Sequence, residues 1–158
     1  LESPFIEKAI IDSCKVKKQV VENDEKEKNY RKILNFGHTF AHAFEATNQY
    51  SKKINHGEAV LLGIICASNF AKQNNIINID DYKKIINHYK KLKLPIKINY
   101  FFKRNQTNKI LGFMRKDKKN SSKKINLILL KKIGKTTKPN QVSLKDFEIK
   151  KFLNSYFI

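Results

Sequence analysis

Apolar residues recur every three or four positions through the first 95 residues of the chain, a spacing that predicts helices. The first helix follows Ser3-Pro4, which suits an N-cap and a first helical position, and runs to about Val21. A second helix begins near residue 35 or 37, and a third runs from about 56 to 72. The third is apolar nearly all round, which is typical of a helix buried inside a bundle. The fourth opens at Asp80-Asp81 and closes before Pro95.

The last third of the chain contains shorter elements. A short helix is predicted over 107–114, and a polar loop follows over 115–124. Residues 125–130 form an apolar run that predicts a strand, and Gly134 and Pro139-Asn140 supply turns. Ser143 is predicted to cap a last helix that runs through Phe152. We therefore expect one domain over residues 1–158, a mostly α helical bundle with one small β element.

The composition excludes several classes of protein. A hydrophobic fraction of 41% is enough for one core of ordinary size and excludes a wholly disordered chain. No apolar run approaches the ~18 residues that span a bilayer, so no membrane partner is expected. Two cysteines cannot build a disulfide scaffold, and a cytoplasmic location is expected. Neither G-x-G-x-x-G nor G-x-x-x-x-G-K-[ST] occurs, so a nucleotide cofactor would need another domain.

Charge is unevenly distributed along the chain, whose formal net charge is +19. Residues 1–48 hold eight basic and eight acidic groups, so the whole excess lies after residue 48. One interpretation is a surface that binds nucleic acid or another polyanion. The other is compositional drift, because lysine, asparagine and isoleucine are abundant together and share A/T-rich codons, whereas arginine is scarce. We favour drift and expect no nucleic-acid partner.

Three of the four histidines fall within nineteen residues of one another. His38 and His42 are four residues apart and would share one face of a helix, which makes them a natural half of a zinc site. His56 lies at a predicted helix start and could reach the same site from a neighbouring element. The alternative is that these are ordinary polar histidines on helix surfaces. His88, on the polar side of the fourth helix, is expected to be exposed.

Residues Arg31, Asn35, His38 and His42 follow one another at spacings of four, three and four. They would form one stripe if the second helix extended backward to Arg31. An arginine, an amide and two imidazoles on one stripe suit an anionic, oxygen-rich substrate held beside a metal. Two simpler interpretations remain open: Arg31 pairs with Glu27 four residues earlier, and Asn35 caps the helix.

Two segments closely resemble the signature of the 3-dehydroquinate synthases, which catalyse the second step of the shikimate pathway. They are residues 31–46, RKILNFGHTFAHAFEA, and residues 56–60, HGEAV. The segments 17–25 and 115–119 also resemble this family and lie in the right order. The resemblance implies that the chain is the largely helical C-terminal domain of such an enzyme.

The resemblance also implies roles for the histidines. His38 and His56 match two ligands of a divalent metal, zinc or cobalt. His42 matches an active-site histidine that contacts the substrate and transfers protons. Glu27 matches an acidic residue with a proton-acceptor role.

Basic and amide side chains match the positions that bind the substrate. Lys17, Arg31 and Asn35 match residues that contact carboxylate, hydroxyl and phosphate oxygens. Within the segment 117–119, Lys118 or Lys119 matches a further lysine that contacts the substrate.

Part of the implied site lies outside the chain. In the family, the third zinc ligand is a glutamate well N-terminal to these helices, and an NAD-binding α/β domain precedes them. Glu2 lies too close to His38 along the chain to be that ligand. We therefore expect a fragment that is inactive alone, with NAD bound mainly by the missing domain and a homodimer formed by the full-length enzyme.

The implied reaction is the conversion of 3-deoxy-D-arabino-heptulosonate 7-phosphate to 3-dehydroquinate and phosphate, a phosphorus–oxygen lyase reaction of aromatic amino acid biosynthesis. It proceeds by transient oxidation of an alcohol by NAD, elimination of phosphate, reduction and ring closure. Two alternatives remain. One is a related sugar-phosphate cyclase that acts on another sugar phosphate. The other is a basic helical module that binds nucleic acid and carries incidental histidines.

Overall fold

The computed structural model describes residues 3–51, 53–117 and 124–157, and most of these residues are helical. The helices are α1 (Phe5–Asn23), α2 (His38–Thr47), α3 (His56–Gln73), α4 (Ile79–Lys91), α5 (Thr107–Lys116) and α6 (Asp146–Tyr156). Three short 3₁₀ helices lie at Tyr30–Asn35, Ile98–Tyr100 and Arg104–Gln106. The mostly α architecture is thus confirmed. None of the described helices is both long and apolar enough to cross a membrane.

Helices α2 and α3 form the centre of the core. Phe40 and Phe44 of α2 are fully buried, as are Leu62 and Cys66 of α3. Phe152 of α6 packs edge-on against Phe40, with ring centroids 5.9 Å apart. The nearly uniform apolar character of α3 is explained by this position, because other elements cover most of its circumference.

Helix α1 lies at the edge of the fold. It packs against the 3₁₀ helix Tyr30–Asn35, and Val20 is its one buried residue among those described. The apolar side that the sequence pattern predicted is mostly exposed, including Ile6 and Ile10. The amphipathic pattern therefore predicts the helix correctly, although the described residues do not cover its apolar side.

The backbones of α2 and α3 meet at two glycines. Gly37 precedes α2 with φ +80°, and a Cβ atom there would lie 2.7 Å from the backbone nitrogen of Ile64. A Cβ atom on Gly63 would clash with the carbonyl oxygen of Gly37. Glycine is required at Gly37 for both reasons, because side chains are disfavoured at positive φ and because no space exists.

The predicted continuous stripe from Arg31 to His42 is wrong. Residues Tyr30–Asn35 form a 3₁₀ helix, and the positive φ of Gly37 separates it from α2, which begins at His38. Arg31 and Asn35 therefore reach the histidines from a separate element.

The small β part consists of two antiparallel pairs. Strand β1 (Ile125–Leu127) pairs with β4 (Val142–Leu144), and β2 (Leu130–Lys132) pairs with β3 (Lys135–Thr136). The apolar run 125–130 thus belongs to two strands. It divides at Leu129, whose backbone N–H donates to the Thr137 hydroxyl at 3.1 Å.

The predicted cap of the last helix is wrong. Ser143 lies opposite Asn126 in the β1–β4 pair, so its backbone is extended and does not start a helix. Helix α6 begins three residues later, where the Lys145 backbone N–H donates to the Glu148 carboxylate at 2.7 Å.

We predict that Gly63→Ala destabilises the chain by about 1–3 kcal/mol, because the new methyl group meets backbone atoms that cannot move aside. Gly112→Ala is the matched control, since a Cβ atom there meets nothing within 4 Å. Alanine also favours a helix over glycine by about 0.5–1 kcal/mol, so the control should be neutral or stabilising. Urea denaturation measures both, and equal stabilities for the two variants would contradict the close approach.

Candidate functional site

An open cleft of about 720 Å³ lies between α1, the loop after it and the 3₁₀ helix Tyr30–Asn35. Nine residues line it: Asp12, Ser13, Val16, Lys17, Glu27, Arg31, Leu34, Asn35 and His38. Five of these are site residues predicted from the sequence. The cleft therefore places two cations, two carboxylates, an amide and an imidazole around one space. One of the carboxylates, Asp12, is paired with Lys8 and Lys15, so Lys17 and Arg31 remain to meet a small anionic ligand.

Glu27 and Asn35 are joined across the cleft. The Asn35 side-chain nitrogen donates to the Glu27 carboxylate at 2.8 Å. This hydrogen bond fixes the orientation of the amide, so the Asn35 side-chain oxygen is the atom left to accept from a ligand hydroxyl. Glu27 has φ +51°, an uncommon backbone conformation for a residue with a side chain.

The loop that carries Glu27 is organised by Asp24. The Asp24 carboxylate accepts hydrogen bonds from the backbone N–H groups of Arg31 at 3.0 Å, Asn29 at 2.7 Å and Lys28 at 2.9 Å. These bonds, the one from Arg31 first, hold the pKa of Asp24 below its ordinary value of 3.8. The Arg31 guanidinium in turn donates to the Glu25 carbonyl oxygen at 2.8 Å.

Neither simpler interpretation, an ion pair between Arg31 and Glu27 or a helix cap at Asn35, agrees with the structure. Glu27 bonds to Asn35, and the ion pairs found among the described residues do not include one between Glu27 and Arg31. Asn35 ends a 3₁₀ helix, and the residue that precedes α2 is Gly37. Both side chains are therefore available to the cleft.

The three clustered histidines lie together at the meeting point of α2 and α3. The His38 ring centroid is 5.6 Å from that of His42 and 6.1 Å from that of His56. His38 also lines the cleft, so it connects the histidine cluster with the residues around Lys17 and Arg31. His88 is exposed on α4, as the sequence predicted.

Two of the rings have a hydrogen-bond acceptor at Nδ1. The His38 Nδ1 lies 3.2 Å from the Phe36 carbonyl oxygen, and the His56 Nδ1 lies 3.1 Å from the Glu45 carboxylate. Carbonyl and carboxylate oxygens accept hydrogen bonds, so each Nδ1 is the donor, and in the neutral form of each ring the lone pair lies on Nε2. Both histidines are thus assigned the tautomer that binds a metal through Nε2.

His38 and His56 lie near each other but not at the spacing of two ligands of a bound tetrahedral ion. At Zn–N distances of 2.0–2.1 Å and a tetrahedral angle, the two ring centroids would lie about 5.2 Å apart. The observed separation is 6.1 Å, so the rings would have to move closer by about 1 Å to share one zinc ion. No group of three or more His, Cys, Asp or Glu side chains able to hold a metal is present in residues 3–51, 53–117 and 124–157. The described residues therefore offer two imidazoles as candidate ligands and no third.

His42 lies beside a carboxylate at the end of α5. Its Nδ1 is 3.5 Å from the Asp117 carboxylate, whose side chain is only 9% exposed. Lys118 and Lys119, the predicted substrate contacts that follow Asp117, lie outside the described residues.

Sequence reasoning missed Glu45 and Asp24. Glu45 follows His38 and His42 by seven and three residues, so helical spacing could have placed it on the same face. Asp24 acts through three backbone N–H groups, and the sequence gives no signal for that arrangement.

Comparison with known sequences gives a consistent result. A model of the family described as 3-dehydroquinate synthase C-terminal matches residues 1–120. The 3-dehydroquinate synthase of Pelagibacter ubique (strain HTCC1062) is 59% identical over 134 residues, which are 85% of this chain and 36% of that protein. That of Alkaliphilus metalliredigens (strain QYMF) is 36% identical over 156 residues, 99% of this chain and 42% of that protein. The chain thus spans less than half the length of these relatives.

Solved structures of a related enzyme share the fold. A crystal structure of 2-deoxy-scyllo-inosose synthase complexed with carbaglucose-6-phosphate, NAD⁺ and Co²⁺ matches 99% of this chain and 42% of that chain. Its TM-score is 0.74 and its sequence identity is 27%. A second crystal structure of 2-deoxy-scyllo-inosose synthase matches with a TM-score of 0.71 and 26% identity, over 99% of this chain and 41% of that chain.

We predict that Asp24→Ala loosens the loop that holds Glu27 and Arg31. The pKa of Asp24 is lower in the folded chain than its ordinary value of 3.8. Its ionised carboxylate therefore stabilises the folded state above pH 3.8, and this stabilisation is lost as the pH falls through the lowered pKa. Near neutral pH, the Arg31 amide should therefore exchange hydrogen several-fold faster in Asp24→Ala than in the unaltered chain. Glu22→Ala, which removes an exposed carboxylate paired with Lys18, is the control. Equal exchange in both variants would contradict this role.

Proposed function

The chain belongs to the 3-dehydroquinate synthase C-terminal family, as the segments 31–46 and 56–60 predicted, and on that premise we propose that it is the substrate- and metal-binding domain of a 3-dehydroquinate synthase. The proposed reaction converts 3-deoxy-D-arabino-heptulosonate 7-phosphate to 3-dehydroquinate and phosphate. The observation that carries the proposal is the cleft, where Lys17, Glu27, Arg31 and Asn35 surround a space that His38 joins to the histidine cluster.

The cations and the amide would hold the substrate. Lys17 and Arg31 line the cleft and offer charged N–H donors to carboxylate or phosphate oxygens, with Arg31 able to bind two oxygens at once. Asn35 would accept from a substrate hydroxyl, because its amide nitrogen already donates to Glu27. One of Lys118 and Lys119 is proposed as a further substrate contact. These contacts would hold an acyclic sugar acid in a reactive geometry.

Two side chains are proposed to move protons. Glu27 would accept a proton from the substrate within the cleft that it lines. His42 would transfer protons at the phosphate-bearing end, where an imidazole can gain and lose a proton near pH 7. Its Nδ1 faces Asp117, so Nε2 is the atom proposed to meet the substrate.

His38 and His56 are proposed as ligands of a divalent metal, zinc or cobalt, completed by a glutamate outside this chain. When bound, the metal would polarise the substrate alcohol and the ketone, and NAD would supply the hydride acceptor. The Co²⁺ and NAD⁺ bound by 2-deoxy-scyllo-inosose synthase support both groups. NAD would be held mainly by a preceding domain. The proposal also includes a single domain over residues 1–158, a cytoplasmic location and a homodimer.

A related sugar-phosphate cyclase is the second candidate, because the solved structures that match the chain are those of 2-deoxy-scyllo-inosose synthase. The family model and the identity to the Pelagibacter ubique relative favour the first. They also support an enzyme over a basic nucleic-acid-binding module.

We predict that the substrate carboxylate distinguishes the two candidates. The test uses a fusion enzyme in which residues 1–158 follow the N-terminal part of the Pelagibacter ubique relative. Phosphate release from the sugar-acid phosphate should exceed that from glucose 6-phosphate by roughly 10²-fold or more in kcat/KM, because a site built for a polar group rejects analogues that lack it. Preference for the neutral sugar phosphate would identify a related cyclase instead.

We predict that His38→Ala and His42→Ala impair the fusion enzyme in different ways. Loss of the ligand His38 should lower metal affinity by at least about 10–100-fold, the range found for even outer-shell losses. Loss of His42 should lower kcat by roughly 10²–10⁴-fold with the metal still bound. Metal analysis and steady-state kinetics measure both effects, with the exposed His88→Ala as control. Equal metal loss in the two variants would make His42 a ligand and overturn its assignment.

A further inference from the structure

Glu45 is a largely buried carboxylate that bonds, among residues 3–51, 53–117 and 124–157, to the proposed metal ligand His56. Its side chain is 14% exposed, and its two oxygens lie 3.1 and 3.2 Å from Nδ1 of His56. Glu45 lies on α2 and His56 begins α3, so this bond joins the two helices beside the histidine cluster. The direction of this hydrogen bond is fixed. Nδ1 of His56 donates, because a carboxylate accepts hydrogen bonds and does not donate them.

We propose that Glu45 is a positioning residue for the metal site, which holds His56 in the tautomer and rotamer that present Nε2 to the metal. The inference rests on the proposed function, because it takes His56 as a metal ligand. Glu45 itself is not proposed as a metal ligand. It accepts from Nδ1 of His56, and the metal would bind Nε2.

The exposure of His56 explains why a positioning residue is needed. The His56 side chain is 62% exposed, so packing does little to restrict its rotation. An unrestricted ring loses rotational freedom when it binds a metal, and that cost weakens binding. The bond to Glu45 restricts the ring before the metal binds. Carboxylates that accept from the second nitrogen of a metal-binding histidine act in this way.

Helix α2 therefore serves both histidine ligands. It provides His38, whose Nδ1 is held by the Phe36 carbonyl oxygen, and it provides the acceptor for His56. His38 and Glu45 are seven residues apart, two turns of one helix, so their spacing is set by helix geometry. The acceptor for His38 is a backbone carbonyl oxygen, which no substitution removes. The acceptor for His56 is a side chain, so replacing Glu45 tests whether this hydrogen bond supports metal binding.

The test measures metal affinity of the fusion enzyme by competition with a chelator, using Zn²⁺ and Co²⁺ without substrate. Glu45→Ala should lower affinity about 10–100-fold, the usual effect of losing such a partner. Glu45→Gln should lower it less, because the glutamine oxygen still accepts from Nδ1. Glu58→Gln is the matched control: it removes a carboxylate from the first turn of α3, and glutamine preserves the capping box with Asn55. Its affinity should stay within about two-fold of the unaltered enzyme.

A second measurement records the tautomer of His56 by ¹⁵N NMR of the metal-free fusion enzyme. The unaltered enzyme and Glu45→Gln should show a proton on Nδ1, and Glu45→Ala should show a mixture or the Nε2-protonated form. If Glu45 serves only helix packing, Glu45→Ala should have a lower thermal stability, while its His56 should show the same tautomer as in Glu45→Gln.

The outcomes separate this inference from the proposed function. If His56→Ala retains full metal affinity, His56 is no ligand and the proposed metal site fails. If His56→Ala loses the metal but Glu45→Ala binds it like the unaltered enzyme, only the inference about Glu45 is overturned. If Glu45→Gln loses as much affinity as His56→Ala, Glu45 binds the metal directly, which also overturns the positioning role.

Discussion

The close approach of Gly37 to Gly63 is the constraint on which the rest of the structure depends. Because neither residue has a side chain, the start of α2 lies directly against the backbone of α3. His38 follows Gly37 immediately, and His56 begins α3 two turns before Gly63. The contact therefore brings two histidines from different helices to a ring separation of 6.1 Å. The same contact allows the Glu45 carboxylate of α2 to reach His56.

The positive φ of Gly37 also determines how the ligand-binding side of the site is built. It separates the 3₁₀ helix Tyr30–Asn35 from α2, so Arg31 and Asn35 line a cleft with α1 while His42 stays on α2. A continuous helix would have placed all of these side chains on one flat face. The break instead produces a concave site, with cations on one side and imidazoles on the other. Asp24 stabilises the cleft by holding the loop that carries Glu27.

The helical part of the fold could be predicted because its signals are local. Helical periodicity placed α3 from about 56 to 72, and the structure has His56–Gln73. The break at Gly37 was missed because the spacing of Arg31, Asn35, His38 and His42 matches a helix, and only contact with Ile64 and Gly63 requires the turn. Ser143 was misassigned for a similar reason, since its pairing with Asn126 depends on a strand seventeen residues earlier. The identities of the site residues came from the family resemblance, and the hydrogen bonds that orient them came from the tertiary structure.

The central claim is that the contact of α2 with α3 forms one metal site from His38 and His56. The most direct measurement is a crystal structure of the metal-loaded fusion enzyme, with diffraction recorded at the absorption edge of the metal. We expect one anomalous peak about 2.0–2.1 Å from Nε2 of both His38 and His56. A peak bound by His42 in place of either histidine, or one that lies away from both helices, would contradict it.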